Sequence, residues 1–161
     1  MIRLARLCTP TIVVGLVMVF AAGWASAQSS DPLNGAWKLN LAKSTFSPGP
    51  APKDATVTFE GTDAARKVTV DLTPATGAAV HYSFSGALGK ELPVAGTNPN
   101  ADTEVLKRIN ATTLEAQYLK GGKPTLKQTG VLSADGKTLT ITGSGTDAQG
   151  RTVNNVAVFN K

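Results

Sequence analysis

The chain has 161 residues, 42% of them hydrophobic, and a formal net charge of +5 from 16 basic and 11 acidic side chains. This length accommodates one domain with one hydrophobic core. The lysines are scattered singly along the chain and form no basic cluster with interleaved aromatic residues, so the sequence predicts no nucleic-acid partner.

The N-terminal residues 1–27 have the pattern of a secretory signal peptide. Arg3 and Arg6 form a positive n-region, residues 9–24 form an apolar run, and a small-x-small cleavage site ends at Ala27. The run is too short for a comfortable membrane span. We therefore expect export by the general bacterial route, cleavage after Ala27 and a periplasmic or secreted protein. The alternative is an uncleaved N-terminal anchor.

The predicted mature domain is residues 28–161. Removal of the signal peptide leaves 134 residues with a net charge of +3 and no cysteine, because Cys8 leaves with the signal. Thiol catalysis, thiolate metal sites and disulfides are therefore excluded, and the hydrophobic core must hold the fold. The mature sequence contains no apolar run that is long enough to span a membrane.

The first element of the domain is a strand within "LNGAWKLNLAKSTFSPGPAP", residues 33–52. Trp37, Leu39 and Leu41 alternate with polar residues, which is the period of a strand with one buried face. Three prolines follow, and they prevent a helix in the connection to the next strand. We expect a short, stiff connection there.

The same alternation recurs to the end of the chain, for example in "TVTFE", "KVTVDL", "VHYSF" and "TLTIT". Glycine-containing turn signals separate these runs. Pro93 restricts the fifth strand to a sheet edge or a bulge. The predicted strands are 35–41, 55–60, 66–72, 79–85, 90–94, 103–109, 113–119, 125–132, 137–143 and 153–159.

Many short antiparallel strands joined in sequence form a meander. We predict an all-β fold, an antiparallel up-and-down β-barrel of about 8–10 strands, because closure removes the exposed edges of the sheet. A seven-stranded immunoglobulin-like sandwich is the alternative. The tryptophan in the first strand and the lack of a Cys…Trp…Cys pattern count against the sandwich.

Three segments, "GAWKLNLAKSTFSPGPAP", "NPNADTEVLKRI" and "DGKTLTITGSGTDAQGRTVNNVAVF", make the chain resemble small exported bacterial lipocalin-like proteins of the calycin superfamily, whose function is uncharacterised. The resemblance covers essentially the whole mature chain. It implies structural roles for Gly35 and Trp37, with the tryptophan closing one end of the barrel, often against an arginine.

The chain also departs from the better-known calycins. It lacks the second lipocalin motif, a threonine-aspartate pair before an aromatic residue. It has no room between Leu41 and Val57 for the two-helix lid of the fatty-acid-binding proteins. These departures leave the ligand class open.

Candidate catalytic and metal-binding residues are sparse. His81 is the single histidine of the chain, and the alternation places it on the solvent side of its strand. No serine has the context of a nucleophile elbow. Scattered carboxylates and one histidine lack the spacing of metal ligands. We predict no enzyme activity, no metal and no cofactor, with a hydrolase-like activity as the alternative.

Four aromatic residues are predicted to face the barrel interior, where they line a ligand cavity or fill it: Phe59, Tyr82, Phe84 and Tyr118. An eight-stranded barrel is just wide enough to be filled by side chains or to hold one small ligand.

Arg108 is a further candidate for ligand binding, and its direction depends on the register of strand 103–109. One register turns Val105 and Ile109 inward, and the other turns Leu106 and Arg108 inward. An inward Arg108 would bind a ligand carboxylate or stack on Trp37.

The function predicted from the sequence is that of an exported barrel that binds a small apolar or amphipathic molecule. The alternative is a protein–protein interaction or envelope-structural barrel, inhibitor-like, with a filled core. The sequence identifies no protein partner. Fold alone does not decide between these functions.

Overall fold

A computed structural model of the protein describes residues 31–161, so the predicted signal peptide lies outside the described residues. One 3-10 turn, Leu41–Lys43, accompanies the strands. The strands are β1 Gly35–Leu39, β2 Thr45–Ser47, β3 Asp54–Thr62, β4 Ala65–Thr73, β5 Val80–Gly86, β6 Glu91–Pro93, β7 Ala95–Gly96, β8 Thr103–Asn110, β9 Thr113–Lys120, β10 Lys123–Leu132, β11 Thr138–Thr146 and β12 Thr152–Asn160.

The strands form one antiparallel sheet that curves into a nearly closed barrel. The hydrogen-bonded order is β6-β8-β9-β10-β11-β12-β1-β3-β4-β5-β7, and β2 pairs with β12 outside this path. Strand β12 returns to pair with β1, which joins the C-terminal part of the meander to its beginning. The all-β barrel prediction is confirmed, and the architecture is compatible with a lipocalin-like fold.

The seam of the barrel lies between β5 and β8. The segment 86–97 crosses it, since β6 pairs with β8 and β7 pairs with β5. Backbone hydrogen bonds support the crossing: the Gly89 amide donates to the Leu106 carbonyl over 2.7 Å, and the Leu88 amide donates to the Asp63 carbonyl over 2.8 Å. The sheet therefore closes through two short strands, with β6 paired to β8 and β7 paired to β5. Strands β5 and β8 do not form one continuous ladder with each other.

Each of the ten predicted strands is present, with ends that differ by up to three residues. The first strand ends at Leu39, because the 3-10 turn begins at Leu41. Strand β6, which contains Pro93, lies at one end of the strand order, where a residue without an amide hydrogen is tolerated. Two strands were not predicted, β2 and β7, of three and two residues.

One end of the barrel is closed by the residues that precede β1. Trp37 is 0% exposed, and its indole Nε1 donates a 2.8 Å hydrogen bond to the carbonyl of Leu33. The Nζ atom of Lys161 lies 5.0 Å from the centre of the indole ring, within the range of a cation–π contact. Gly35 begins β1 and packs against the Lys161 side chain. We call this end the tryptophan end.

Two arginines hold the same end together. Arg66 is 1% exposed and donates to Asn34 Oδ1 and Asp31 Oδ2, both at 2.5 Å, and to Asp63 Oδ1 at 3.2 Å. Arg108 binds Asp31 and Asp63 as well. These ion pairs tie residues 31–34 to the β3–β4 hairpin and to β8.

The opposite end carries the proline-rich segment, residues 44–53, and we call it the proline end. This segment leads into β3 at Asp54, which pairs with Thr73 at the end of β4 that is remote from Arg66. Within the segment, β2 pairs with residues 154–156 of β12. The connection thus contains a short strand that runs antiparallel beside β12 at this end of the barrel.

Candidate functional site

The barrel contains a partly open cavity of about 200 Å³. This volume exceeds the roughly 150 Å³ of an engineered apolar cavity that binds benzene, so it suits a ring with a short substituent. Most of the wall is apolar, with contributions from nearly every long strand. The wall residues that matter below are Phe46, Pro52, Phe59, Tyr82, Phe84, Glu104, Ala116, Tyr118 and Gln128.

The structure places all four predicted aromatic residues in this wall. Phe59 comes from β3, Tyr82 and Phe84 from β5, and Tyr118 from β9, and each is buried. Tyr82 and Phe84 are two residues apart on one strand, so the period of two turns both inward. The inward direction that the sequence pattern predicts for these four side chains is thus observed.

Arg108 does not line the cavity. The inward register of β8 is the one with Leu106, which is buried, while Ile109 is 57% exposed. Arg108 points toward the tryptophan end, and its Nε donates to Asp63 Oδ2 over 2.7 Å. Its charge is thus satisfied by Asp63 and Asp31, and the expected ligand contact is replaced by an internal ion pair. The cation over the Trp37 ring is Lys161.

The hydrogen bond from Arg108 lowers the pKa of Asp63, and Arg66 contributes in the same direction. Reciprocally, Asp63 raises the pKa of Arg108. Each carboxylate of this cluster is paired with guanidinium groups. The cluster therefore has a structural role and does not form an open binding site.

Glu104 is a residue of the cavity wall that the sequence did not predict. It is 0% exposed and lines the cavity. Asn98 Nδ2 donates to its Oε1 over 3.4 Å, and its Oε2 has no hydrogen-bond partner among the described residues. Burial raises the pKa of this carboxyl group to about 8. The register that turns Leu106 inward also turns Glu104 inward, so the choice of this register would have predicted a buried Glu104.

Two phenol groups line the cavity with Glu104. The hydroxyls of Tyr82 and Tyr118 are 3.3 Å apart, and the Tyr118 hydroxyl donates to Gln128 Oε1 over 3.2 Å. Burial raises the pKa of both tyrosines, and Glu104 adds to the effect. Both phenols are therefore neutral hydrogen-bonding groups. We call Tyr82, Glu104, Tyr118 and Gln128 the polar cluster.

The proline end forms the rim of the cavity. Phe46 of β2 and Pro52 both line it and are half-buried. Trp37 does not belong to the wall. Its fluorescence therefore reports on the tryptophan end rather than on the cavity, and a ligand assay needs another readout.

His81 lies on the outer face of β5. Its side chain is 66% exposed, and its Nδ1 is 2.7 Å from Asp71 Oδ1. It does not line the cavity. Within residues 31–161, no group of three or more histidine, cysteine, aspartate or glutamate side chains is arranged to hold a metal ion. No helix in this same range is long and apolar enough to cross a membrane.

Comparison with known proteins adds no family: no family model matches the chain, and no curated protein matches it. The interpretation of the site therefore depends on the geometry of the barrel and on the chemistry of its wall.

Proposed function

We propose that this protein binds a small apolar or amphipathic molecule inside its barrel, and that it acts by binding rather than by catalysis. The observation that carries the proposal is the cavity of about 200 Å³ with buried aromatic side chains and a small polar cluster in its wall. Ligand sites commonly combine a mostly apolar wall with a few polar groups that orient the ligand.

The cavity also bears on the alternative of an interaction barrel with a filled core. Side chains leave an unfilled volume in this barrel, whereas interiors that serve only stability are packed with few voids larger than a water molecule. His81 lies on the outer face and therefore supplies no imidazole group to the cavity. Export, and with it a periplasmic or extracellular place of action, is supported by the pattern of residues 1–27.

Toluene is a suitable first probe, because its ring and methyl group match the size of the cavity. We expect saturating toluene to raise the melting temperature of the purified domain, since a ligand that binds only the folded state stabilises it. NMR chemical-shift changes should concentrate at residues of β3, β5 and β9.

Leucine substitutions at two alanine positions make the test specific. Ala116→Leu adds volume to the cavity wall, whereas Ala65→Leu adds the same volume at an exposed position of β4. Ala116→Leu should remove the toluene effect and Ala65→Leu should preserve it. The proposal is wrong if the unmodified domain shows neither a change in melting temperature nor chemical-shift changes at the wall with toluene or with benzyl alcohol or benzylamine, which carry a polar group on the same ring.

A further inference from the structure

The cavity contains a buried carboxyl group with unused hydrogen-bonding capacity. Oε2 of Glu104 has no partner among the described residues, although the side chain is 0% exposed. A polar atom buried without a partner costs free energy, and native structures usually satisfy it. Since Glu104 belongs to the cavity wall, a bound molecule would lie beside this carboxyl group.

No basic group of the described wall neutralises this carboxyl group. The side chains that line the cavity include Glu104 but no lysine, arginine or histidine. Its polar neighbours are neutral: Asn98 is hydrogen-bonded to it, and Tyr82, Tyr118 and Gln128 belong to the same wall. The described wall therefore contains one carboxyl group, that of Glu104, and no basic side chain to pair with it.

Two arginines of the barrel are engaged in ion pairs elsewhere. Arg66 and Arg108 bind Asp31 and Asp63 at the tryptophan end. The barrel thus places paired charges at one end and a single unpaired carboxyl group within the cavity. Aromatic side chains also line the cavity, and the faces of their rings attract cations.

We propose that the ligand is a small hydrophobic amine, whose ammonium group pairs with the Glu104 carboxylate while its apolar body fills the cavity. This inference rests on the proposed ligand-binding function and names its ligand class. A single ring or a short branched chain with one amino group fits the volume of about 200 Å³.

The proposal implies a proton balance. Burial keeps Glu104 mostly protonated at pH 7 in the free protein. An ammonium ligand stabilises the charged carboxylate, so the O–H bond of Glu104 breaks and its proton goes to the solvent. The N–H bonds of the ammonium group stay intact and donate to the carboxylate oxygens. Binding at pH 7 should therefore release about one proton per ligand.

Benzylamine, benzyl alcohol and toluene test this inference, because they share one ring and differ in the group attached to it. Isothermal titration calorimetry at pH 7 should show benzylamine binding at least tenfold more tightly than benzyl alcohol. Titrations in two buffers of different ionisation enthalpy should show the release of about one proton with benzylamine and none with benzyl alcohol.

Glu104→Gln is the matched variant. It keeps the size of the side chain and removes the carboxylate, so it should lose the preference for benzylamine and the proton release. If the variant fails to fold, the proton release of the unmodified protein still decides the question.

The possible failures are distinguishable. If toluene binds but benzylamine binds no more tightly than benzyl alcohol, or binds without proton release, the amine inference is wrong and the proposed function stands. A preference for benzylamine that survives in Glu104→Gln also overturns the inference. If none of the three probes binds, the proposed function fails, and the amine inference fails with it.

Discussion

At the residue scale, Trp37 is expected to stabilise the tryptophan end of the barrel. Trp37→Ala removes a fully buried indole and its hydrogen bond to Leu33. We expect a loss of about 3–5 kcal/mol in the free energy of unfolding, measured by urea denaturation. Toluene binding to the folded fraction should stay unchanged, because Trp37 does not line the cavity.

Trp37→Phe is the control for this prediction. It retains most of the buried ring and loses the Nε1 donor, so we expect a smaller loss, on the order of 1–2 kcal/mol. An alanine variant as stable as the unmodified protein would show that the tryptophan does not anchor the first strand.

The contrast between Phe84 and Arg108 shows how far single residues can be predicted from the sequence. Apolar residues that alternate with polar ones identify their own inward face, and Phe84 follows this rule. Strand β8 has polar residues on both faces, so its pattern leaves the register open. The partners of Arg108, Asp31 and Asp63, are 77 and 45 residues away in sequence, and only the fold brings them together.

At the element scale, the seam depends on β7. A Cβ atom on Gly96 would lie 2.4 Å from the His81 carbonyl oxygen, and the backbone φ is +95°. Gly77 has nearly the same φ, +94°, but a Cβ there would meet no atom within 4 Å. We expect Gly77→Ala to cost about 1–2 kcal/mol of stability from backbone strain, and Gly96→Ala to cost clearly more.

Hydrogen exchange measures the structural effect of these two variants. Gly96→Ala should increase exchange at backbone amides of segment 86–97 and of β5, because the added methyl group separates β7 from β5. In Gly77→Ala the same amides should stay protected. Equal loss of stability in both variants would mean that the close contact at β7 does not hold the seam.

The same element shows the limit of periodicity. Strands β2 and β7 have three and two residues, too few for an alternating pattern to be recognised. They exist because neighbouring strands, β12 and β5, present unpaired backbone groups to them. Longer strands such as β3 and β12 show their alternation in the sequence, and all of them were predicted.

At the scale of the whole molecule, buried and paired carboxyl groups predict how stability depends on pH. Glu104 has its pKa raised from 4.5 to about 8 by burial. Between these values the folded state binds a proton that the unfolded state lacks, so stability falls as pH rises through this window. The pKa values of Asp63, Asp135 and Asp147 are lowered from 3.8 by hydrogen bonds. Their stabilisation is lost as pH falls below that value.

The opposing slopes place maximal stability in the mildly acidic range, at about pH 4–5. Glu104→Gln should reduce the loss of stability at alkaline pH, because the neutral amide has no proton to lose. The variant should match the unmodified protein near pH 4.5 and exceed it at pH 9 by an amount on the order of 4 kcal/mol.

Urea denaturation at pH 4.5, 6, 7.5 and 9 measures this difference directly. Glu60→Gln is the matched control, because Glu60 is exposed and, among the described residues, its side chain forms a surface ion pair with Lys67. It should leave the shape of the profile unchanged. If the unmodified protein is as stable at pH 9 as at pH 5, the Glu104 carboxylate must have a compensating partner. The unpaired carboxyl group on which the amine inference depends would then not exist in solution.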